Sequence, residues 1–401
     1  MMRYEWKKIF ERRLNVIAMV LGYLLMGSVA YSYISQDRCY DAAKDSYAEG
    51  PEAYRMKLEM AQGQTDVITE EYVTELIRDI QNFGMDLESD EAYIEVIRPL
   101  DDMFYFLAKS YTDMGEPYID QNALNKVDLK NGARFYQQRI EKITHFLNMD
   151  FSYGNYSEAE KTYWISMAKR TNIPFRWGGK AVMSNVGDLT FMGLYLWFVV
   201  VICVSSVFSS EYESGAAYLL LTTKYGKDRL VRSKIEVSVL FTIGYLTVGA
   251  LIAIVPTILI LGLPGADLPV QLWDSVIPYN ITIGQTCLGA FGLILLIGVT
   301  IALVLLCCSA GFRSSMTALV IGVAVIIAPM FFPMSKESGL WNHINYLFPG
   351  RAFNLKEVMS SYVSYAFGNV VISYAEMIVM VYMVVSVAAL MLIRRVFVRV
   401  K

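Results

Sequence analysis

The chain has 401 residues, a formal net charge of −3, 55% hydrophobic residues and a mean hydropathy of +0.38. Charged residues make up 18%, below the ~25% usual for soluble domains, which argues against a soluble protein and for an integral membrane one. The basic residues are scattered and form no face interleaved with aromatics, so no nucleic-acid partner is expected.

Residues 1–13 place Trp6, Ile9 and Phe10 at helical spacing among basic residues. This suits a helix lying in the cytoplasmic membrane interface; the plainer reading is the positive flank of the next segment. Crossing ~30 Å of hydrocarbon takes about 20 apolar residues. The first such run is Leu14–Ile34 (span 14–34), too long for a signal peptide and without a small-residue cleavage site before Gln36.

Residues 35–187 form a polar domain with 17 basic and 26 acidic residues, net −9. The pattern is mostly helical, without a strong hairpin signal. Thr69 opens a helix with Val73, Leu76, Ile77 and Ile80 in phase, stopped by Gly84. Ser89 opens another with Tyr93, Ile94 and Ile97, which Pro99 kinks or splits before Met103, Phe106 and Leu107. Asn131–Met149 is a third, and Ser157-Glu-Ala-Glu160 is a capping box for a last helix through Arg170. The aromatics Tyr153, Tyr156, Tyr163, Trp164, Phe175 and Trp177 either pack this domain onto the membrane surface or form a ligand surface; packing is favoured.

Residues 188–401 hold five further runs: Leu189–Ser210, Val237–Ala266, a helix near Gly284–Cys308, Ser314–Ser335 and Val358–Ile393. Between the last two, Trp341–Arg351 reads as a loop or as a short horizontal helix ending at Pro349-Gly350. Pairs such as Ala18/Gly22, Ala318/Gly322 and Ala324/Ala328 permit close helix packing. Lys and Arg crowd the N-terminus, the loop after the second span (Lys224, Lys227, Arg229, Arg232, Lys234), Arg313 and the C-terminus (Arg394, Arg395, Arg399, Lys401). By the positive-inside rule both termini are cytoplasmic and residues 35–187 lie outside. The expected architecture is an all-α membrane protein: six transmembrane helices, with a mostly helical extracellular domain between the first two.

With Cys39 alone in the outer domain, no internal disulfide is expected there, and with only two distant histidines, His145 and His343, no zinc site is expected. Glu376 falls about six residues into the last span, with Tyr374 and Tyr382 nearby. An ionisable residue in a span is costly and becomes a pathway or gate candidate; the plain alternative is a side chain snorkelling to the outer headgroups.

The loop 209–234 carries the most information. Ser210-Glu-Tyr-Glu213 has capping-box spacing, Glu211 and Glu213 complement a helix N-terminus, and Gly215 allows close backbone approach. Tyr218, Leu219 and Leu220 supply an apolar face before the basic cluster that includes Arg229. A docking helix for a cytoplasmic partner and a plain surface hairpin both fit. The string Phe208-x-x-Glu211-x-x-x-Gly215, Leu219-Leu-Leu-Thr-Thr223, Gly226-x-x-Arg229 and Lys234 resembles the first cytoplasmic loop of ABC-2 type transporter permeases. The large outer domain is similar to a branch common in Gram-positive bacteria. The resemblance implies a plasma-membrane exporter subunit whose loop holds a coupling helix, paired with two ABC ATPase subunits and a second permease copy or paralogue. It implies that ATP and Mg are bound by the partner ATPase, and that this chain is not an enzyme and binds no cofactor. Accordingly, Gly-Lys occurs at 179–180 and 226–227, but neither is followed by Ser/Thr or preceded by the glycine of a P-loop. The alternative is a membrane sensor or anchor whose outer domain binds a ligand and whose loop recruits an effector.

Overall fold

The computed structural model describes residues 1–401 except 42–43, 117, 179–192, 224–225, 263–264 and 399–401. The predicted boundary at 187/188, the start of the second span at Leu189, Gly179-Lys180, Lys224, Arg399 and Lys401 lie outside the described residues. The chain is mostly helical, and among the described residues five helices are long and apolar enough to cross a membrane: Arg13–Ser35, Gly193–Glu213, Arg229–Leu261, Ile283–Phe312 and Tyr374–Val398. The apolar helix Ser315–Phe331 is shorter, at 17 residues. Outward-facing Ile17, Leu21, Leu24, Leu251, Leu259, Val384 and Met391 are exposed, as expected of helices whose solvent is lipid.

Helix Ile283–Phe312 is central and packs on the second, third and last long helices and on Ser315–Phe331. Its start is set by a capping box of Thr282 and Gln285. Trp197, fully buried, donates its indole N–H to the Ile294 carbonyl at 3.0 Å and locks the second helix to it. Two of the predicted small-residue pairs are used inside the chain. A Cβ on Gly22 would lie 2.1 Å from the Tyr245 hydroxyl, and one on Gly322 would lie 2.7 Å from Leu305. Ala324, by contrast, faces outward.

The helix beginning at Thr69 runs Glu70–Asn82 with Val73, Ile77 and Ile80 buried, and Thr69 accepts from the Tyr72 N–H. Glu158–Lys169 opens with the expected capping box of Ser157 and Glu160. Elsewhere the pattern misled. The Ser89 segment passes through a π-helical turn, Tyr93–Ile97, which shifts the helix face: Val96 and Ile97 are buried while Tyr93 and Ile94 are exposed. Asn131–Met149 shortens to Phe135–Leu147.

The structure is not purely helical. Two antiparallel hairpins, Arg38–Asp41 with Ser46–Glu49 and Ser364–Phe367 with Val370–Ser373, and a short ladder of Val67–Ile68 with Phe175–Arg176, were missed. The second hairpin takes the front of the run Val358–Ile393, so the last helix starts only at Tyr374. The third long helix starts at Arg229, so Arg229, Arg232 and Lys234 belong to it rather than to a loop. Helix Gly339–Tyr346 ends before Pro349, which instead opens the next short helix.

The polar region shares its core with segments far along the chain. Phe104, Phe106, Phe135 and Trp177 pack with Leu268, Val270, Leu272 and Ile277, and Trp164 packs with Val276 and Tyr362. The described residues of 68–177 therefore share their core with 268–283 and with Met359 and Tyr362. The aromatic segment divides: Trp164, Phe175 and Trp177 are buried in internal packing, while Tyr156 and Tyr163 are half-buried and Tyr153 is exposed.

Candidate functional site

The opposite end of the bundle gathers the N-terminal helix Met2–Glu11, the short helices Ser209–Glu213 and Ala216–Thr222, and the start of the third long helix. Trp6 stacks on Phe10 at 5.7 Å, and Phe10 meets Phe241 edge-on at 6.2 Å, so the aromatic face read from the sequence holds the N-terminal helix to the bundle. The break at Arg12 is extended, and buried Asn15 donates to the Ile9 carbonyl at 3.0 Å.

Beneath that helix lies a buried ion cluster. Lys234, fully buried, donates to Glu5 Oε2 at 2.9 Å, Glu211 Oε1 at 2.8 Å and the Val207 carbonyl at 2.7 Å. Its three N–H groups are all used. Lys8 donates to the same Glu211 oxygen at 2.5 Å and to Glu5 Oε1 at 3.3 Å. Two carboxylates and two ammonium groups thus balance in a site where an unpaired charge would be costly. Burial alone would lower the Lys8 pKa, but Glu211 and Glu5 outweigh it and hold the pKa above the ordinary lysine value. Glu236 pairs with Arg232 at 2.7 Å and not with Lys234.

The capping box expected at Ser210 does not form: Ser209–Glu213 has no side-chain cap. Glu213 instead accepts from the backbone N–H of Ser315 at 2.7 Å and its hydroxyl at 3.0 Å, capping helix Ser315–Phe331. Ser309 accepts from the N–H groups of Phe208 and Ser209 at 3.2 and 2.9 Å, which satisfies the turn between the two halves of the second span. Gly215 makes no close approach, since nothing lies within 4 Å of a Cβ built there; its φ of +76° turns the chain from one short helix into the next. The close approach is at Gly226, where a Cβ would meet the Leu220 carbonyl.

The candidates thus divide. Glu211 is buried at 6% exposure and Glu213 is spent on a cap, whereas Tyr218 and Leu219 are 57% and 74% exposed and project from the end of the bundle. Arg229 is exposed at the start of its helix. Glu5, Lys8 and Lys234 were missed as a unit. The sequence placed Glu211 and Lys234 in one loop string but gave no sign that they pair, and the partners of Lys234 are 229 and 23 residues away.

Glu376 lies in the first turn of the last helix, not six residues in. Ser373 donates to it from its N–H and hydroxyl at 2.9 and 2.8 Å, and Glu376 N–H returns to Ser373 Oγ at 3.4 Å. This reciprocal pair has capping-box geometry, and Tyr163 of the polar region faces it. Compared with protein-family models, curated proteins and solved structures, the chain matches none.

Proposed function

We propose that the chain is the permease subunit of an ABC-2 type exporter, driven by a separate ATPase that docks on residues 209–229. The observation that carries this reading is the division of the loop. Its second helix presents Tyr218 and Leu219 outward, while its first is tied through Glu211 and Glu213 to the third helix and to Ser315–Phe331. A push on the exposed helix would reach the spans through those contacts. ATP and Mg would sit on the partner, and this chain would supply the pathway.

Six spans are part of the proposal. Ser315–Phe331 begins beside Glu213 at the basic end, and Arg351 donates to the carbonyls of Pro329, Met330 and Phe332 at its far end, each at 3.1 Å. Seventeen residues rise ~25 Å, which a locally thinned bilayer accommodates at modest cost. Outward-facing Ala324 offers a small-residue surface to a second permease subunit.

Two measurements test the reading. Leu219→Glu with Tyr218→Glu should leave insertion intact and abolish transport-coupled ATP hydrolysis, because both side chains are exposed and contribute nothing to the bundle interior. A double variant that couples like wild type would remove the docking assignment. A cysteine at Tyr118, 84% exposed, should react with an impermeant thiol reagent from outside the cell, and one at Lys227 should not. Reversed labelling would overturn the orientation.

A further inference from the structure

A cavity of about 490 Å³ opens between the polar region and the segment 334–364, and no part of the proposed coupling path uses it. Its walls include four aromatic rings: Phe146, Tyr153, Tyr156 and Tyr346. They come from separate elements. Phe146 is in helix Phe135–Leu147, Tyr153 and Tyr156 precede the Ser157 cap, and Tyr346 ends helix Gly339–Tyr346. The rings are held from behind: Phe151 lies 5.3 Å from Tyr153 and 5.9 Å from Tyr156, and Tyr374 lies 5.4 Å from Tyr346. Backbone contact closes one side, where a Cβ on Gly339 would lie 3.0 Å from the Tyr153 carbonyl.

Among the described residues no lysine, arginine or aspartate lines the cavity, and the carboxylate in its wall is Glu160. Glu160 Oε2 is used by Ser157, while Oε1 accepts a single bond, from Ser364 at 2.9 Å, and keeps further acceptor capacity. His343 also lines it, but both its ring nitrogens face backbone carbonyls, Gly339 at 2.6 Å and Ser364 at 2.9 Å. Burial raises the pKa of the Tyr153, Tyr156 and Tyr346 phenols, so they stay neutral. The electrostatic neighbours of Tyr156 include Tyr153, Glu160 and Tyr346, so these groups converge on one space.

We propose that this cavity binds the alkylammonium group of an organic cation, held by the faces of the tyrosine rings and balanced by Glu160. Rings and a carboxylate, with no competing ammonium or guanidinium in the wall, are the chemistry that selects such a group. The proposal concerns binding by this chain and stands apart from ATPase coupling.

The test is a saturation-transfer NMR titration of the purified full chain in lipid nanodiscs with choline and its uncharged isostere 3,3-dimethylbutan-1-ol. Choline should bind saturably and at least about tenfold tighter than the isostere. Tyr156→Leu and Tyr346→Leu should each weaken choline about tenfold, while Tyr156→Phe and Tyr346→Phe, which keep the ring face, should stay within about twofold of wild type. Thermal melting of the leucine variants matched to wild type controls for folding. Absence of saturable binding, equal affinity for the isostere, or leucine variants that bind like the phenylalanine ones would each overturn the proposal.

Discussion

Lys234→Met is expected to destabilise the protein by about 3–5 kcal/mol, the usual consequence of removing one partner from a buried ion pair. Glu5 and Glu211 would be left with Lys8 alone, whose side chain is 39% exposed, and the Val207 carbonyl would lose its donor. Methionine keeps the length of the lysine stem, so the loss reports charge and hydrogen bonding rather than a cavity. Adding Glu211→Gln to Lys234→Met restores the charge balance and should recover part of the loss, giving a coupling energy of about 1–3 kcal/mol in a double-mutant cycle. The midpoint of thermal unfolding in one fixed detergent measures both. If Lys234→Met melts with wild type, the cluster is not what fastens the N-terminal helix. The pH dependence follows from Lys8. Because its folded pKa is raised, its contribution is full below the ordinary lysine value and is lost as pH rises through the folded one. The latch should therefore hold across neutral pH and weaken only under alkaline conditions.

The same cluster alters how the loop can be probed. Glu211 and Glu213 stand in the loop that the sequence offers as a docking helix, which makes them obvious targets for charge reversal. With Glu211 buried against two lysines and Glu213 capping another helix, reversal would disturb the bundle itself. The informative substitutions lie on the exposed helix, at Tyr218 and Leu219.

What the sequence revealed follows the reach of each interaction. The Thr69 cap, the Ser157–Glu160 box and the apolar runs 14–34 and 284–308 are local, and they appear within a few residues of where they were expected, whereas the third long helix starts eight residues before its expected run and the last one sixteen residues after. Glu376 was misplaced because Val370–Ser373 is as apolar as a span but pairs as a strand, and hydropathy does not separate the two. Tyr93 and Ile94 were misassigned because a π turn adds a residue and rotates the face. Lys234 with Glu5, and Arg139 with the segment 275–277, could not be read at all, since nothing in a single chain pairs residues more than a hundred positions apart.

Arg139→Met should unclamp the polar region from the segment between the third and fourth long helices. Arg139 is 4% exposed in helix Phe135–Leu147. Its guanidinium donates to the carbonyls of Ser275, Ala168 and Ile277 and to the Thr171 hydroxyl, the last three at 3.0 Å. One side chain thereby joins two helices of the polar region to the backbone of a distant loop. Burial pulls its pKa below the ordinary value, but arginine starts so high that it stays charged at neutral pH. Methionine fills the space and removes the desolvation cost, yet it leaves the buried Ser275 carbonyl without its donor, at about 1–3 kcal/mol, and the Ile277 carbonyl with Gln271 alone, at 3.0 Å. Arg139→Lys supplies a point donor in place of a planar fork and should recover only part of the loss. Hydrogen–deuterium exchange is the decisive measurement. In Arg139→Met, amides around 268–277 and 135–147 should exchange at least tenfold faster, while those of the central helix Ile283–Phe312 beyond its first turns should be unchanged. Exchange unchanged from wild type in 268–277 and 135–147 would mean that the apolar contacts of Leu268, Val270 and Leu272 suffice, and that the guanidinium adds nothing to the seam.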